Sequence, residues 1–191
     1  MSDPFALLAR WIDDAGGSAS VEAVAMCLAT AGAGCRPSAR IVLLRGLDER
    51  GLRFYTSYES RKGRELLDNP LAAAVLYWPA LQRQVRLEGS VTTLSEGESD
   101  AYFGSRPRGH RLAAWASEQS QPLESPEILA ERFAHFEQRF EGAEVPRPHS
   151  WGGYLLVPSR FEFWTGRPNR MHERVLFTRG DGDWQTTLLQ P

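Results

Sequence analysis

The chain has 191 residues and a formal net charge of −2, with 42% apolar and 24% charged residues. Those values describe an ordinary globular chain with material for one core; they exclude a disordered chain and disfavour a general nucleic-acid binder, which carries a basic excess. No stretch approaches the roughly 18 apolar residues of a helical membrane span, and the Met-Ser-Asp-Pro-Phe start lacks the basic-then-apolar pattern of a secretory leader.

Asp3 and Pro4 supply an N-cap and first position for a helix over residues 4–14, with Leu7, Leu8, Trp11 and Ile12 at helical spacing and Gly16-Gly17 ending it. Ala23 to Thr30 reads as a strand, Ala31 to Cys35 as a turn, and Ser38 to Arg45 as the second strand of a hairpin. A turn at Asp48 to Gly51 precedes a short strand through Phe54, Tyr55 and Thr56. Ser60 caps a helix over Arg61 to Asn69, which Pro70 ends. Leu71 to Trp78 is a continuous apolar run, which suits a strand buried on both faces. Gln82 to Leu94 alternates instead, with Val85, Leu87 and Val91 on one face and Gln84, Arg86 and Glu88 on the other.

The period then lengthens. Ser95-Glu-Gly-Glu98 is a capping box opening a helix that carries Tyr102 and Phe103. A second helical stretch surrounds Leu112 to Trp115, and a third follows Ser125-Pro126 with Leu129, Phe133, Phe136 and Phe140 on one stripe, whose three phenylalanines read as core packing, the alternative being a surface for a partner helix, so that a helical insertion covers residues 96–141. The tail returns to strands at Gly153 to Val157, Arg160 to Trp164, Arg170 to Arg179 and Trp184 to Leu189. With no repeat, linker or βαβ alternation, the pattern predicts one mainly β unit with helices (α+β) over residues 1–191, an antiparallel barrel rather than a Rossmann fold.

Cys27 and Cys35, with seven residues between them, match neither zinc nor redox spacing and read as reduced thiols of a cytoplasmic protein. The chain has 21 arginines and a single lysine, Lys62. That lysine lies in Thr56-Ser-Tyr-Glu-Ser-Arg-Lys-Gly63, which joins a strand to a helix N-terminus. Free backbone N–H groups with Arg61 and Lys62 make either a phosphate cradle or a solvated cationic helix start. In Arg170-Met-His-Glu-Arg174, read as strand, period two puts Arg170, His172 and Arg174 on one face, where they either surround an anionic or electron-rich group or pair with carboxylates. A metal site is not expected, since this segment has one His and no nearby Cys or Asp. Tyr102 to Arg108, with Gln119 and Ser120, is a further anion site or a surface helix end. Trp164 is a core aromatic or a plate against a flat ring. No hydrolase or nucleotide-loop motif is present.

These segments, in this order, resemble the pyridoxine/pyridoxamine 5′-phosphate oxidase family: Arg40-Ile-Val-Leu-Leu-Arg45, Phe54-Tyr-Thr56, Ser60-Arg-Lys-Gly63, Arg83-Gln-Val85, Tyr102-Phe103, Ser105-Arg-Pro-Arg108, Trp115-Ala-Ser-Glu-Gln-Ser120, Val145-Pro146, Trp151-Gly-Gly153, Phe161-Glu-Phe-Trp164 and Arg170-Met-His-Glu-Arg174. The resemblance implies an FMN-binding split β-barrel that forms a homodimer with flavin sites at the subunit interface. It implies FMN contacts from Arg40, Ile41, Val42, Leu43, Leu44, Arg45, Tyr55, Thr56, Ser60, Arg61, Lys62, Gln84, Gln119, Ser120, Trp164 and Arg174. It implies a substrate phosphate held by Arg45, Tyr102, Arg106 and His110, with Arg170, Met171 and His172 at the pyridine ring and Arg170 and His172 as catalytic residues.

The implied reaction oxidises pyridoxine or pyridoxamine 5′-phosphate to pyridoxal 5′-phosphate, with O₂ as acceptor and peroxide as product. The family usually has Lys at position 45 and often Ser at position 110, and many members carry a basic N-terminal extension that this sequence is expected to lack. The alternatives are an FMN oxidase of phenazine biosynthesis acting on a tricyclic carboxylate, a non-catalytic flavin- or B6-vitamer-binding protein, and an interaction module on an empty barrel.

Overall fold

In the computed structural model, residues 3–17 and 19–191 are described. Helix α1 (Pro4–Asp14) starts where the Asp3 carboxylate accepts from the Phe5 and Ala6 N–H groups at 3.0 and 3.3 Å. Its apolar stripe of Phe5, Leu8, Trp11 and Ile12 is buried against the sheet, with edge-on contacts from Phe5 to Phe161 and from Trp11 to Phe163, both at 5.1 Å between ring centroids. A short helix α2 (Val21–Val24), capped by Ser20, leads into β1 (Ala25–Ala31) and β2 (Pro37–Leu43). There follow β3 (Gly46–Asp48), β4 (Gly51–Ser57), α3 (Arg61–Asp68), β5 (Leu71–Trp78) and β6 (Arg83–Thr93). Helices α4 (Glu96–Ser105), α5 (Arg108–Ala116) and α6 (Pro126–Arg139) come next, then β7 (Trp151–Thr165), β8 (Glu173–Arg179) and β9 (Trp184–Leu189).

The strands pair antiparallel in the order β2-β1-β5-β6-β7-β4-β3, with β8 lying between β7 and β9. β7 is the shared strand. Its first part, Trp151–Leu156, pairs with β4 and its last part, Arg160–Thr165, pairs with β8, while β6 runs beside both. The sheet therefore divides along β7. At the division the β6–β7 register shifts between Glu88 and Gly89, and a Cβ on Gly89 would collide with the Val157 carbonyl, so this crossing needs a glycine. A large core containing Met26, Leu28, Phe54, Leu76, Leu87, Leu156, Phe161 and Phe177 fills the concave side, closed by α1. A smaller one, of Phe103, Leu112, Phe140, Val145 and Trp151, binds the helical insertion to β7, with Phe133 and Phe136 packed against it.

Several elements differ from the sequence reading. The two strands expected at Gly153–Val157 and Arg160–Trp164 are one, because Pro158 falls at the bulge opposite Gly89, where the ladder is already interrupted. The strand expected over Arg170–Arg179 begins at Glu173; before it lies a 3-10 turn, with Asn169 and Arg170 at φ +57° and +61°. β5 is not buried on both faces: Ala72, Ala74, Leu76 and Trp78 point inward, while Leu71 and Tyr77 are exposed. Its alanines read as apolar on either side. Leu129, on the same helical stripe as Phe133, Phe136 and Phe140, is exposed, while the three phenylalanines join the smaller core. α2 and β3 were not anticipated; neither is long enough to show a period. Among the described residues no helix is long and apolar enough to cross a membrane.

Candidate functional site

A cleft of about 830 Å³ opens between β2, the β4–α3 junction and helices α4 and α5. One end is cationic. There the Ser60 hydroxyl caps α3 by accepting from the Gly63 N–H at 3.3 Å, while donating to the Ser57 carbonyl at 2.7 Å. A Cβ on Gly63 would collide with the Tyr58 carbonyl, so the helix start is pressed tightly onto the preceding loop. Lys62 is thereby drawn inward to 7% exposure. Its ammonium donates to Thr56 Oγ1 at 3.0 Å, Ser60 Oγ at 3.3 Å and Gln119 Oε1 at 3.4 Å, all neutral acceptors. Burial, and then the nearby Arg40 guanidinium, push its pKa down to about 8, with Glu65 opposing. Arg40 and Arg61 line the same end. Three cations with one carboxylate, Glu65, bonded to two of them leave positive charge uncompensated around a buried ammonium, and a phosphate monoester fits that need.

The other end is aromatic and also cationic. Tyr55 of β4 and Tyr102 of α4 stack with ring centroids 3.7 Å apart and planes 15° apart. Trp151, at the start of β7, continues the stack at 5.8 and 6.2 Å from the two tyrosines. The Arg106 guanidinium lies 4.6 Å from the Trp151 ring centroid, and its NH1 is buried with no hydrogen-bond partner among the described residues. Burial lowers the Arg106 pKa, and Arg45 adds to the lowering. Arg45 and His110 line the cleft here too, so an unspent buried N–H stands beside a second cation, as an anion site requires.

Of the residues expected at the site, the cleft brings together Arg40, Ile41, Val42, Leu43, Arg45, Tyr55, Thr56, Arg61, Lys62, Tyr102, Arg106, His110, Gln119 and Ser120. Leu44 does not join them; it turns into the core at 5% exposure. Ser60 is fully buried beneath the cleft and acts on Lys62. Gln84, Trp164, Arg170, Met171, His172 and Arg174 do not line this cleft either. They form a second group at the far end of β7. Gln84, Trp164 and Arg174 are successive register partners across β6, β7 and β8. Arg174 Nε donates to Glu162 at 2.8 Å, and His172 lies 4.7 Å from the Trp164 ring. The common strand face expected for Arg170, His172 and Arg174 does not exist, because the first two precede β8. His172 is held instead by its Nδ1, which accepts from the Arg167 N–H at 3.2 Å. Trp151 and Ser57 line the cleft and were not expected there. Their placement follows from β4–β7 pairing, which local pattern does not reveal.

The curled antiparallel sheet, divided at one long strand and flanked by helices, is the split-barrel fold of FMN-binding proteins. It matches the crystal structure of a pyridoxamine 5′-phosphate oxidase-related, FMN binding protein from Nostoc punctiforme with a TM-score of 0.78 over 100% of both chains, at 21% identity. The chain belongs to the pyridoxamine 5′-phosphate oxidase family: residues 20–140 match the family described as pyridoxamine 5′-phosphate oxidase, and residues 151–191 match the pyridoxine 5′-phosphate oxidase C-terminal dimerisation region. It is 53% identical over 189 residues to the pyridoxine/pyridoxamine 5′-phosphate oxidase of Rubrobacter xylanophilus, covering 99% of this chain and 87% of that one. The Cupriavidus pinatubonensis protein of the same name is 50% identical over 190 residues, covering 99% and 89%. Among solved structures, PhzG from Burkholderia lata 383 in complex with tetrahydrophenazine-1-carboxylic acid gives a TM-score of 0.93 at 36% identity, over 100% of this chain and 94% of that one.

Proposed function

We propose that the chain is a cytoplasmic, FMN-dependent oxidase that converts pyridoxine 5′-phosphate, pyridoxamine 5′-phosphate or both to pyridoxal 5′-phosphate, with O₂ as acceptor and hydrogen peroxide as product. The observation that carries this reading is one cleft with two anion-seeking ends, Lys62 with Arg40 and Arg61 at one and Arg106 with Arg45 and His110 at the other. Two phosphorylated molecules, a cofactor and a substrate, need two such ends. The names of the relatives at 50–53% identity favour this substrate class.

In this reading Lys62, Arg61 and Arg40, backed by Ser60, hold the FMN phosphate. Thr56, Gln119 and Ser120 fix its immediate surroundings. β2 is an edge strand, so backbone groups on its free side along residues 40–43 are available to the rim of a flat heterocycle. FMN held there would supply the acceptor for a hydride from the substrate C4′ carbon and the route for the electrons to O₂. Tyr102, Arg106, Arg45 and His110 hold the substrate phosphate, and Tyr102 is kept in place by the stack with Tyr55 and Trp151.

The second group of residues enters through a homodimer. The tail that carries it matches a dimerisation region, and Ile41, Tyr77 and Leu188 are 64%, 54% and 78% exposed, as expected of surface covered by a second copy. Across that interface each chain offers Gln84, Trp164 and Arg174 to the cofactor, and Arg170, Met171 and His172 to the substrate, in the other chain's cleft. Arg170 orients the substrate and supports charge near C4′. His172, tethered by Nδ1, has Nε2 available to exchange a proton with the substrate.

Aerobic turnover of the FMN-loaded protein, with each phosphorylated substrate supplied separately, tests the reading. Aldehyde and peroxide in equal amounts support it. A flavin-loaded protein that turns over neither substrate would overturn it. The 36% identity to the PhzG structure favours a tricyclic carboxylate as the substrate to try next.

A further inference from the structure

Glu65 lies on the second turn of α3, its side chain 12% exposed and behind the cleft rather than in its wall. Four donors converge on it. Oε2 accepts from Thr30 Oγ1 and Ser38 Oγ at 2.6 Å each and from Arg40 NH2 at 3.3 Å; Oε1 accepts from Arg61 Nε at 2.8 Å. Burial raises its pKa, but the hydrogen bonds from Ser38, Thr30, Arg61 and Arg40 outweigh that and hold it at about 2, so the carboxylate is charged at neutral pH.

The two arginines are held differently. Arg40 spends NH1 on the Leu28 carbonyl and Thr30, and NH2 on Ser38 and Glu65, so its guanidinium is pinned flat on β1 and β2. Arg61 spends only Nε, on Glu65. Among the described residues its NH1 and NH2 donate to nothing, and the side chain lines the cleft. A guanidinium tethered at Nε presents its outer nitrogens as a fork, the geometry that matches two oxygens of one phosphate.

We infer that Glu65 is the positioning residue of the phosphate end: by clamping Arg40 and aiming Arg61, it makes the cleft prefer phosphorylated over unphosphorylated flavin. The inference rests on the reading above that this end holds the FMN phosphate. The carboxylate's own repulsion of the phosphate is offset by the two guanidinium groups bonded to it. Positioning therefore outweighs repulsion, and removal of Glu65 weakens FMN rather than tightening it.

The test compares the affinity of the full chain for FMN and for riboflavin, by quenching of flavin fluorescence, in wild type and Glu65→Ala. Wild type should prefer FMN. The variant should bind FMN roughly tenfold more weakly, about one charge-assisted hydrogen bond's worth, with riboflavin within about twofold of wild type. Glu65→Gln, which keeps the shape and one acceptor oxygen, should shift FMN in the same direction by less, and it decides the matter should the alanine variant not fold. Unchanged or tighter FMN binding would overturn the inference, as would an equal loss for both flavins, which marks a role in folding alone. A wild type that binds the two flavins equally would overturn the phosphate-end reading itself, and the inference with it.

Discussion

Replacing Lys62 by methionine should move two observables in opposite directions. An ordinary lysine titrates at 10.5, and in the flavin-free fold Lys62 titrates at about 8. That displacement corresponds to at most about 3 kcal/mol against the charged form in the folded chain, reduced to the extent that solvent in the cleft reaches the ammonium. Because the folded pKa is the lower one, the cost is fully present below about pH 8. It is relieved as pH rises from 8 toward 10.5, where the unfolded chain holds the proton more often.

Methionine keeps the length of the side chain and removes the charge. Thr56 and Gln119 keep their mutual bond at 2.8 Å, and Ser60 keeps its bond to Ser57 at 2.7 Å, so the donors lost offset the gain by about 1–2 kcal/mol. Flavin-free Lys62→Met should therefore be more stable than wild type at neutral pH by about 1–2 kcal/mol, or a few degrees in Tm, and the advantage should vanish toward about pH 10. FMN affinity should fall by roughly 100-fold in the same variant. In wild type, FMN affinity should decline with rising pH above about 8, since the phosphate needs the ammonium protonated, and the variant should lose that dependence. Thermal unfolding without flavin and FMN titrations across this range read both effects, with riboflavin as the control. A variant less stable than wild type at neutral pH, or wild-type FMN affinity that is flat through pH 8, would refute the reasoning.

Arg170→Ala should lower kcat/KM far more than it lowers FMN affinity; equal losses would remove Arg170 from the substrate. Chains carrying Lys62→Met and chains carrying Arg170→Ala, each strongly impaired alone at FMN concentrations that load only the unsubstituted cleft, should regain about a quarter of wild-type sites when mixed and reassembled, because half of the dimers are hybrids with one intact site each. Absence of recovery in verified hybrids would mean that each chain completes its own cleft. Trp151→Ala should cost about 3–5 kcal/mol in urea unfolding and raise KM for the phosphorylated substrate more than it weakens FMN, through Tyr102 and Arg106.

What was legible in the sequence was local. Asp3, Ser60 and the Ser95–Glu98 box are side chains answering backbone N–H groups a few residues away, and each starts the helix it was expected to start. The cationic end was legible for the same reason: Thr56, Ser60, Arg61 and Lys62 lie within one short segment. Gln119, which completes the Lys62 shell from 57 residues away in the chain, was read from the residues with the Tyr102–Arg108 segment and was joined to the cationic end only through resemblance. Trp151 was missed because its partners Tyr55 and Tyr102 come from other elements. The face assigned to Arg170, His172 and Arg174 failed because an alternation rule was extended into a segment that turns at Asn169 and Arg170. Leu71–Trp78 misled because alanine does not tell an inner face from an outer one.

β7 carries Trp151 in the wall of the cleft at one end and Trp164 in the second group at the other. They are thirteen residue steps apart, at most about 43 Å of extended chain. Connections elsewhere, such as the segments between α5 and α6 or between β8 and β9, can lengthen or shorten without altering that interval. The strand cannot, since one added residue would turn every later side chain through the sheet. In an assembly where one end serves a chain's own cleft and the other its neighbour's, β7 is a gauge bar: the spacing of the two reaction centres is set by a count of residues and is inherited with the strand.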